Sequence, residues 1–321
     1  MRFAAFAGSL PVAFFLSACG GSGTTGSISS TPTPIATPTP TPVATSSGGP
    51  TGGNATLTNL QVSESFGGVG AVNRFTAAAS TGATSNRQPM STGPVQIRYD
   101  AASGSYTIAT GTLPDVTFAT SDRSSSGSTA VISAYGKSSG SKTDNLALFN
   151  PGPGNTQLAL TYASYGGWQS TSAAGASSEV ATTFFVYGIK TAPGDLPTAG
   201  TASYKTTLDG LFAGNSGLYT LSGSSAILAD FAAGTIDFSM SPRGRNIVDG
   251  SVKDFGDLLG SGTIGSGTSA FAGTSDAASV NGYSATMSGQ FFGPQAAEVG
   301  VAFQLTGADG QGSGVIVGKK N

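Results

Sequence analysis

The sequence predicts an all-β protein that ends in a roughly eight-stranded antiparallel β-barrel. Beyond residue 55, apolar residues recur at every second position, which is the period of a strand with one buried face. Clusters of turn-forming residues, such as NPGPGN at 150–155, separate the alternating segments. The 18 Phe and 9 Tyr favour a folded β protein over a disordered chain, although the 321 residues include 49 Gly and only 9% are charged.

Residues 1–18 resemble a bacterial lipoprotein signal peptide. A positive start at Arg2 precedes an apolar run over 3–16, which is too short for a membrane span of about 20 residues. LSAC at 16–19 is similar to a lipobox, which implies cleavage before Cys19 and acylation of this sole cysteine. By the same resemblance, Gly20 in place of an Asp directly after the cysteine implies that the lipoprotein goes to the outer membrane. A plain signal peptide with a chance Cys, or a buried apolar helix, is the alternative.

Residues 19–55 are expected to form a disordered tether. A Gly/Ser/Thr stretch, GGSGTTGSISS, is followed by TPTPIATPTPTPVAT, in which Pro at nearly every second position favours extended polyproline II geometry. Fully extended, the segment could span up to about 100 Å. Its position after a lipidation signal favours a spacer between membrane and folded domain over a low-complexity insert without a role.

Residues 56–195 are expected to form a first β region. Three strands are predicted where apolar residues alternate with polar ones: Val95, Ile97 and Tyr99; Tyr106 and Ile108; and Leu158, Leu160 and Tyr162. Trp168, the only Trp, follows two glycines. It could be an exposed binding aromatic, but a buried anchor is favoured.

Residues 196–321 carry the clearest strand signals and are expected to form the barrel. SAILADFAAGTIDFSM at 225–240 predicts a hairpin with one buried face, and a second hairpin turns at Gly293-Pro294. Val315 and Val317 indicate a last strand. A closed barrel filled by its own side chains would also remove the edges that a charge-poor sheet cannot protect.

MSGQFFGPQAAEVGVAFQL at 287–305 resembles the barrel signature of transferrin-binding protein B-like surface lipoproteins. The matching residues are Gly289, Phe291, Phe292, Gly293, Pro294, Ala296, Glu298 and Phe303. ILADF (227–231) and GVIVGKK (314–320) fit the neighbouring strands, although a Phe and another Gly are more usual in the last one. Segments around YASYGGW, FFVYGIKT and DLPTAGTASY resemble the run into the barrel of single-lobe members, so residues 56–195 correspond to a small, handle-like antiparallel sheet region. The signature is expected to be structural, with Glu298 accepting turn N–H bonds.

Composition excludes several kinds of chemistry. Without His and with one Cys, the chain cannot form a Cys/His zinc site, a Ser-His-Asp triad or a His-ligated haem. With 14 Lys and Arg against 16 Asp and Glu, it lacks the basic footprint of a nucleic-acid binder. The chance motifs GSGTIG (260–265), DFG (254–256) and SGSK (139–142) lack their partner elements. Arg123, Lys137 and Lys142 are expected in a solvated loop region. No enzyme, catalytic residue, metal or cofactor is predicted.

The resemblance implies a lipid-anchored, surface-exposed binding lipoprotein of the outer membrane. It would present a barrel lobe to a protein or small ligand in iron or haem acquisition. Its partners would be an iron- or haem-carrying protein or a TonB-dependent receptor, and it would act as a monomer. The alternative is a structural or assembly lipoprotein of the outer membrane without a soluble ligand.

Overall fold

The computed structural model describes residues 53–321, so Cys19, the signal peptide and nearly all of the expected tether lie outside the described residues. Of the described residues, 61% are in strands and 3% in helices. Its helical turns in the described part are three short 3-10 helices, at Thr120–Asp122, Pro193–Asp195 and Pro294–Ala296. All strand pairings are antiparallel, and they form two sheets that we call the handle sheet and the barrel. The predicted all-β class is confirmed.

The handle sheet contains the first nine strands. They are β1 (Glu64–Ala78), β2 (Thr84–Ser85), β3 (Ser91–Asp100), β4 (Ser105–Ala109), β5 (Val116–Phe118), β6 (Ile132–Ser139), β7 (Lys142–Phe149), β8 (Ala163–Ala174) and β9 (Ser177–Gly188). Eight lie in the order β5-β4-β3-β1-β9-β8-β7-β6, and β2 pairs with the end of β1. A bridge between Arg123 and Tyr135 draws the two outer strands together, so the sheet nearly closes on itself.

The barrel contains the other nine strands. They are β10 (Thr201–Gly214), β11 (Gly217–Asp230), β12 (Thr235–Asn246), β13 (Val252–Asp254), β14 (Leu258–Ile264), β15 (Ala270–Ser275), β16 (Ser284–Phe292), β17 (Glu298–Gly307) and β18 (Gly310–Lys320). Pairing of β10 with both β11 and β18, and of β11 with β12, closes an eight-stranded ring from which only the short β13 is left out. The predicted barrel is confirmed.

Period-two alternation decides which side chains fill the barrel. In the hairpin of β11 and β12, Ile227 and Ala229 face Ile236 and Phe238 in the lumen. On β17, Val299, Val301, Phe303 and Leu305 also point into the lumen. On β18 the lumen receives Ile316, whereas Val315 and Val317 point outward to the handle sheet. Strands β17 and β18 are therefore buried on both faces.

The strand predicted over 157–162 is wrong. The segment is irregular, and its Leu160 N–H donates to the carbonyl of Leu158, two residues back, rather than to a neighbouring strand. Leu158 and Leu160 are nevertheless buried between the two sheets. Burial alternates here because an irregular connection passes between the two sheets. The sequence pattern does not distinguish such a connection from a strand that is paired in a sheet.

Candidate functional site: the seam between handle sheet and barrel

The two sheets pack face to face along a surface that we call the seam. Its apolar part contains Phe75, Tyr165, Phe184 and Val186 from the handle sheet and Leu211, Phe292, Val315 and Val317 from the barrel. A backbone bridge between Lys190 and Phe292 joins the segment that follows β9 to the end of β16. Residues of both sheets therefore contribute to any site at the seam and fix its geometry.

Glu298 ties the barrel to a loop of the handle region. Its side chain is only 1% exposed. Oε1 accepts the backbone N–H of Thr161 at 2.6 Å, and Oε2 accepts those of Tyr162 and Ala163, each at 2.8 Å. Burial raises the pKa of Glu298, while these three N–H groups and the nearby Lys319 act in the opposite direction. The carboxyl group thus accepts three consecutive backbone N–H groups where the irregular segment enters β8.

The Gly-Pro turn lies beside Glu298 at the same seam. Gly293 has φ 71° and ψ 176°, a backbone conformation essentially reserved for glycine. A Cβ at this position would stand 2.3 Å from the Tyr162 ring. The ring therefore packs directly on the glycine backbone, and the turn and the loop held by Glu298 form one contact.

The eight signature residues divide between the lumen and the seam region. Phe291, Ala296 and Phe303 are in the luminal cluster, and the ring of Phe271 occupies the space that a side chain at Gly289 would need. The remaining members, at or beside the seam, are Phe292, Gly293, Pro294 and Glu298. The structure thus places the signature in the wall that faces the handle sheet.

Polar groups also cross the seam. The hydroxyl of Tyr165 donates to Asp209 Oδ2 at 2.5 Å, and burial together with Asp209 raises the pKa of Tyr165 well above its usual value. Gln311 donates to Asn73 Oδ1 at 2.7 Å. The amide of Gln169, which is fully buried, has no hydrogen-bond partner among the described residues. The seam thus contains paired polar groups and also the Gln169 amide, which lacks hydrogen-bond partners among the described residues.

An open groove runs along one side of the seam. One part of it has a volume of about 510 Å³ and is lined by both sheets; the adjoining part, about 410 Å³, is lined by the handle sheet and the segment that follows it. Both parts share Gly68, Pro94 and Lys190. Among residues 53–321, Lys190 is the only ionisable residue that lines either part.

A second candidate surface is one end of the barrel, which we call the valine end. It carries Val248, Val252 and Val280, with exposed fractions of 52%, 71% and 95%. Beneath them the fully buried Phe255 plugs the lumen in edge or tilted contact with other rings. Asp309 accepts from Lys253 at 2.7 Å and from the Tyr283 hydroxyl at 2.6 Å. The exposed valines therefore stand on a packed platform.

The other residues singled out in the sequence are structural. Trp168 is 1% exposed and donates its indole N–H to Asp144 Oδ1 at 3.1 Å, as expected of a buried anchor. The first five residues of the GSGTIG motif lie on β14 in an antiparallel sheet, where a Cβ at Gly262 would stand 2.2 Å from the carbonyl oxygen of Ala272. This is not the strand-turn-helix context of a dinucleotide site.

The expected solvated loop around Lys137 and Lys142 is wrong for these two lysines. Lys137 lies on β6 and Lys142 on β7, in a hairpin that turns at Gly140 with φ 61°. Lys142 pairs with Asp144 at 3.2 Å. The run of Ser and Gly has no apolar alternation because this part of the hairpin is largely exposed to solvent.

Within residues 53–321, no cluster of His, Cys, Asp and Glu could hold a metal ion. In the same residues no helix has the length and apolar character of a membrane span. The sequence reasoning missed both Lys190 and the valine end. A single Lys after an apolar strand carries no pattern, and isolated valines in turns are indistinguishable from core residues until the fold exposes them.

Comparisons with known proteins show which proteins the barrel resembles. Residues 196–320 match the family described as C-lobe and N-lobe beta barrels of Tf-binding protein B. Among solved structures, transferrin binding protein B of Haemophilus parasuis Hp5 is similar at 11% identity, over 81% of this chain and 76% of that chain, with a TM-score of 0.33. The isotype 1 protein of Neisseria meningitidis matches at 12% identity, over 81% and 77%, with a TM-score of 0.32. The lactoferrin binding protein B N-lobe domain of Moraxella bovis matches at 14%, over 59% and 79%, with a TM-score of 0.31. No curated protein matches the chain. Residues 196–320 are therefore similar to the β-barrel lobes of transferrin-binding protein B.

Proposed function

We propose that the chain is a lipid-anchored binding lipoprotein of the outer membrane that presents its handle-and-barrel lobe at the cell surface to a protein partner. The observation that carries the proposal is the family match of the barrel over residues 196–320. The lipobox-like segment ending at Cys19 supports the anchor, and the Thr-Pro-rich residues up to 55 support a spacer. We propose cleavage after residue 18, with the handle over 56–195 and the barrel over 196–321.

The proposed partner is an iron-carrying host protein of the transferrin or lactoferrin kind, because similar solved structures are named for these ligands. A TonB-dependent receptor would receive the iron or haem. The chain itself acts by binding and not by catalysis. Its low content of charged residues, 9%, favours an apolar contact with the partner over an electrostatic one.

We place the partner contact at the valine end. Val248, Val252 and Val280 are exposed, while neighbouring Phe255 and Tyr283 are buried and hold the platform in place. Exposed apolar side chains on a preorganised platform lose little conformational entropy when a partner covers them.

Biolayer interferometry with the full chain tests the partner. Iron-loaded and iron-free transferrin, lactoferrin and haemoglobin are offered in turn, and saturable binding of at least one is expected. The Val280→Asp variant should weaken that binding at least about tenfold, since it puts a charge into an apolar contact. Val62→Asp, a change at another exposed valine outside the valine end, is the matched control and should alter binding less than about twofold. Absence of binding to every protein offered would refute the proposal of an iron-carrier partner.

Cell fractionation tests the anchor and the orientation separately. Incorporation of labelled palmitate should be lost in Cys19→Ser, and protease added to intact cells should degrade the lobe. A lobe that is protected until the outer membrane is permeabilised would instead support the alternative of a periplasmic structural lipoprotein.

A further inference from the structure

We propose that the groove beside Lys190 is a binding site for a small monocarboxylate with an apolar body. This site is distinct from the valine end and independent of the proposed protein partner. Its volume of about 510 Å³ in the part lined by both sheets lies within the range of small-ligand sites, about 300–1,000 Å³. The adjoining part, about 410 Å³, extends the groove along the handle sheet.

The backbone around Lys190 is fixed by both sheets. Residues 190 and 292 form an antiparallel bridge. The N–H of Thr191 donates to the carbonyl of Phe291 at 3.0 Å, and the N–H of Gly293 donates to the carbonyl of Ile189 at 2.8 Å. The side chain of Lys190 therefore starts from a backbone position that both sheets hold in place, which favours a preformed site.

The side chain of Lys190 packs against the backbone of Gly67 on β1. A Cβ built at Gly67 would stand 2.9 Å from Lys190 Cε and 3.0 Å from Nζ. Because Gly67 has no side chain, the ammonium group can lie directly against β1 at the point where the two parts of the groove meet.

The ammonium group has no counter-ion among the described residues. The four ion pairs of residues 53–321 involve other charges, and no hydrogen bond of the Lys190 side chain is present there. No acidic residue of the described part lines the groove; Lys190 remains exposed to solvent, and its partial burial lowers its pKa. A cation that is partly desolvated and unpaired gains from a bound anion.

The remaining lining decides the class of anion. Val69, Pro94, Ala270 and Ala272 provide apolar wall, which favours an apolar ligand body. The hydroxyls of Thr92, Thr263 and Ser288 make no side-chain hydrogen bond within the described part of the chain and can donate to a carboxylate oxygen. One cation with a few neutral donors matches a monoanion; a phosphate dianion would be left under-compensated.

Isothermal titration of the full chain with octanoate tests the site. We expect saturable binding with one octanoate per chain, and at least about tenfold weaker binding of octanol, which has the same length but no charge. Lys190→Gln should weaken octanoate binding at least about tenfold. Lys205→Gln removes a charge from the barrel strand β10, outside the groove, and should change binding less than about twofold. Equal loss in both variants, or unchanged binding in Lys190→Gln, would overturn the proposal.

Measuring lysine acetylation on the unsubstituted chain tests the site without depending on a variant that could fail to fold. Acetylation by a water-soluble ester is followed at Lys190 and Lys205 by peptide mass spectrometry. Saturating octanoate should slow acetylation of Lys190 at least about threefold and leave Lys205 unchanged. If octanoate protects neither lysine, or both equally, the groove is not its site.

Discussion

Replacing Glu298 by Gln should unfasten the barrel from residues 161–163. The carboxylate accepts three backbone N–H groups at 2.6–2.8 Å and is 1% exposed. An amide has one acceptor oxygen, so it can retain at most the two bonds to Tyr162 and Ala163. Its NH₂ group would then face the N–H of Thr161, donor against donor.

The magnitude follows from the bonds concerned. A hydrogen bond to a charged group contributes about 1.5–3 kcal/mol, and a neutral one about half of that. In Gln the Thr161 N–H loses its acceptor and faces an NH₂ donor, whereas a carboxyl group keeps an acceptor oxygen there whether or not it is protonated. Leaving this buried N–H unsatisfied and weakening the other two bonds gives a net loss of about 3 kcal/mol in the free energy of unfolding. For a urea m-value of about 3 kcal/mol/M, the unfolding midpoint should fall by about 1 M.

Urea titration of the full chain, followed by the fluorescence of the single buried Trp168, measures this change. Glu179→Gln, the same chemical change on an exposed strand position, is the matched control and should shift stability by less than about 0.5 kcal/mol. A Glu298→Gln variant as stable as Glu179→Gln would refute the fastening role of the carboxylate.

The pH dependence of the same pair gives a separate test. Burial raises the pKa of Glu298 above the unfolded value of about 4.3, so folding favours the protonated form. The stability that Glu298 contributes is therefore fully present below pH of about 4.3 and declines as the pH rises through the folded pKa. The difference between the unsubstituted protein and Glu298→Gln should shrink between pH 4 and pH 7. A difference that grows over this range would show that the three N–H bonds outweigh burial.

Three further changes test the packing of the seam and the lumen. Gln169→Met should raise the free energy of unfolding by about 1–2 kcal/mol, because it removes a buried amide without partners and keeps the volume; a loss of stability in the urea titration would contradict this. Gly293→Ala should cost more than Gly234→Ala by at least about 2 kcal/mol: both glycines have positive φ, but only Gly293 meets a ring, so equal midpoints would exclude the clash. Phe255→Ala should lower stability by about 3–5 kcal/mol by emptying the lumen at the valine end, and a loss below about 1 kcal/mol would show that the end collapses.

The barrel was predictable because its information is local. The alternation in 225–240 and 282–305 identifies the luminal face strand by strand, and turns at 231–234 and Gly293-Pro294 mark where each strand ends. The same rule failed at 157–162, because burial there comes from a contact between sheets and not from a ladder. Alternation reports which residues are buried but not which neighbour buries them.

The candidate sites were not predictable for a related reason. Glu298 reaches donors 135–137 positions away along the chain, and Lys190 meets groove walls from β1, β3 and β14–β16. The valine end joins the β12–β13 turn to the β15–β16 loop. No window of sequence contains both sides of any of these contacts.

Composition and short-range order are enough to predict the all-β class, the luminal faces, the absence of histidine chemistry and the lipobox-like Cys19. Three features appear only in the folded chain: the handle sheet nearly closes, the seam buries the Glu298 carboxyl group and the unpaired Gln169 amide, and Lys190 stands in a groove without a counter-ion among the described residues. The physical reason is that burial and electrostatic pairing depend on distances between atoms, which the chain sets only when its two sheets dock.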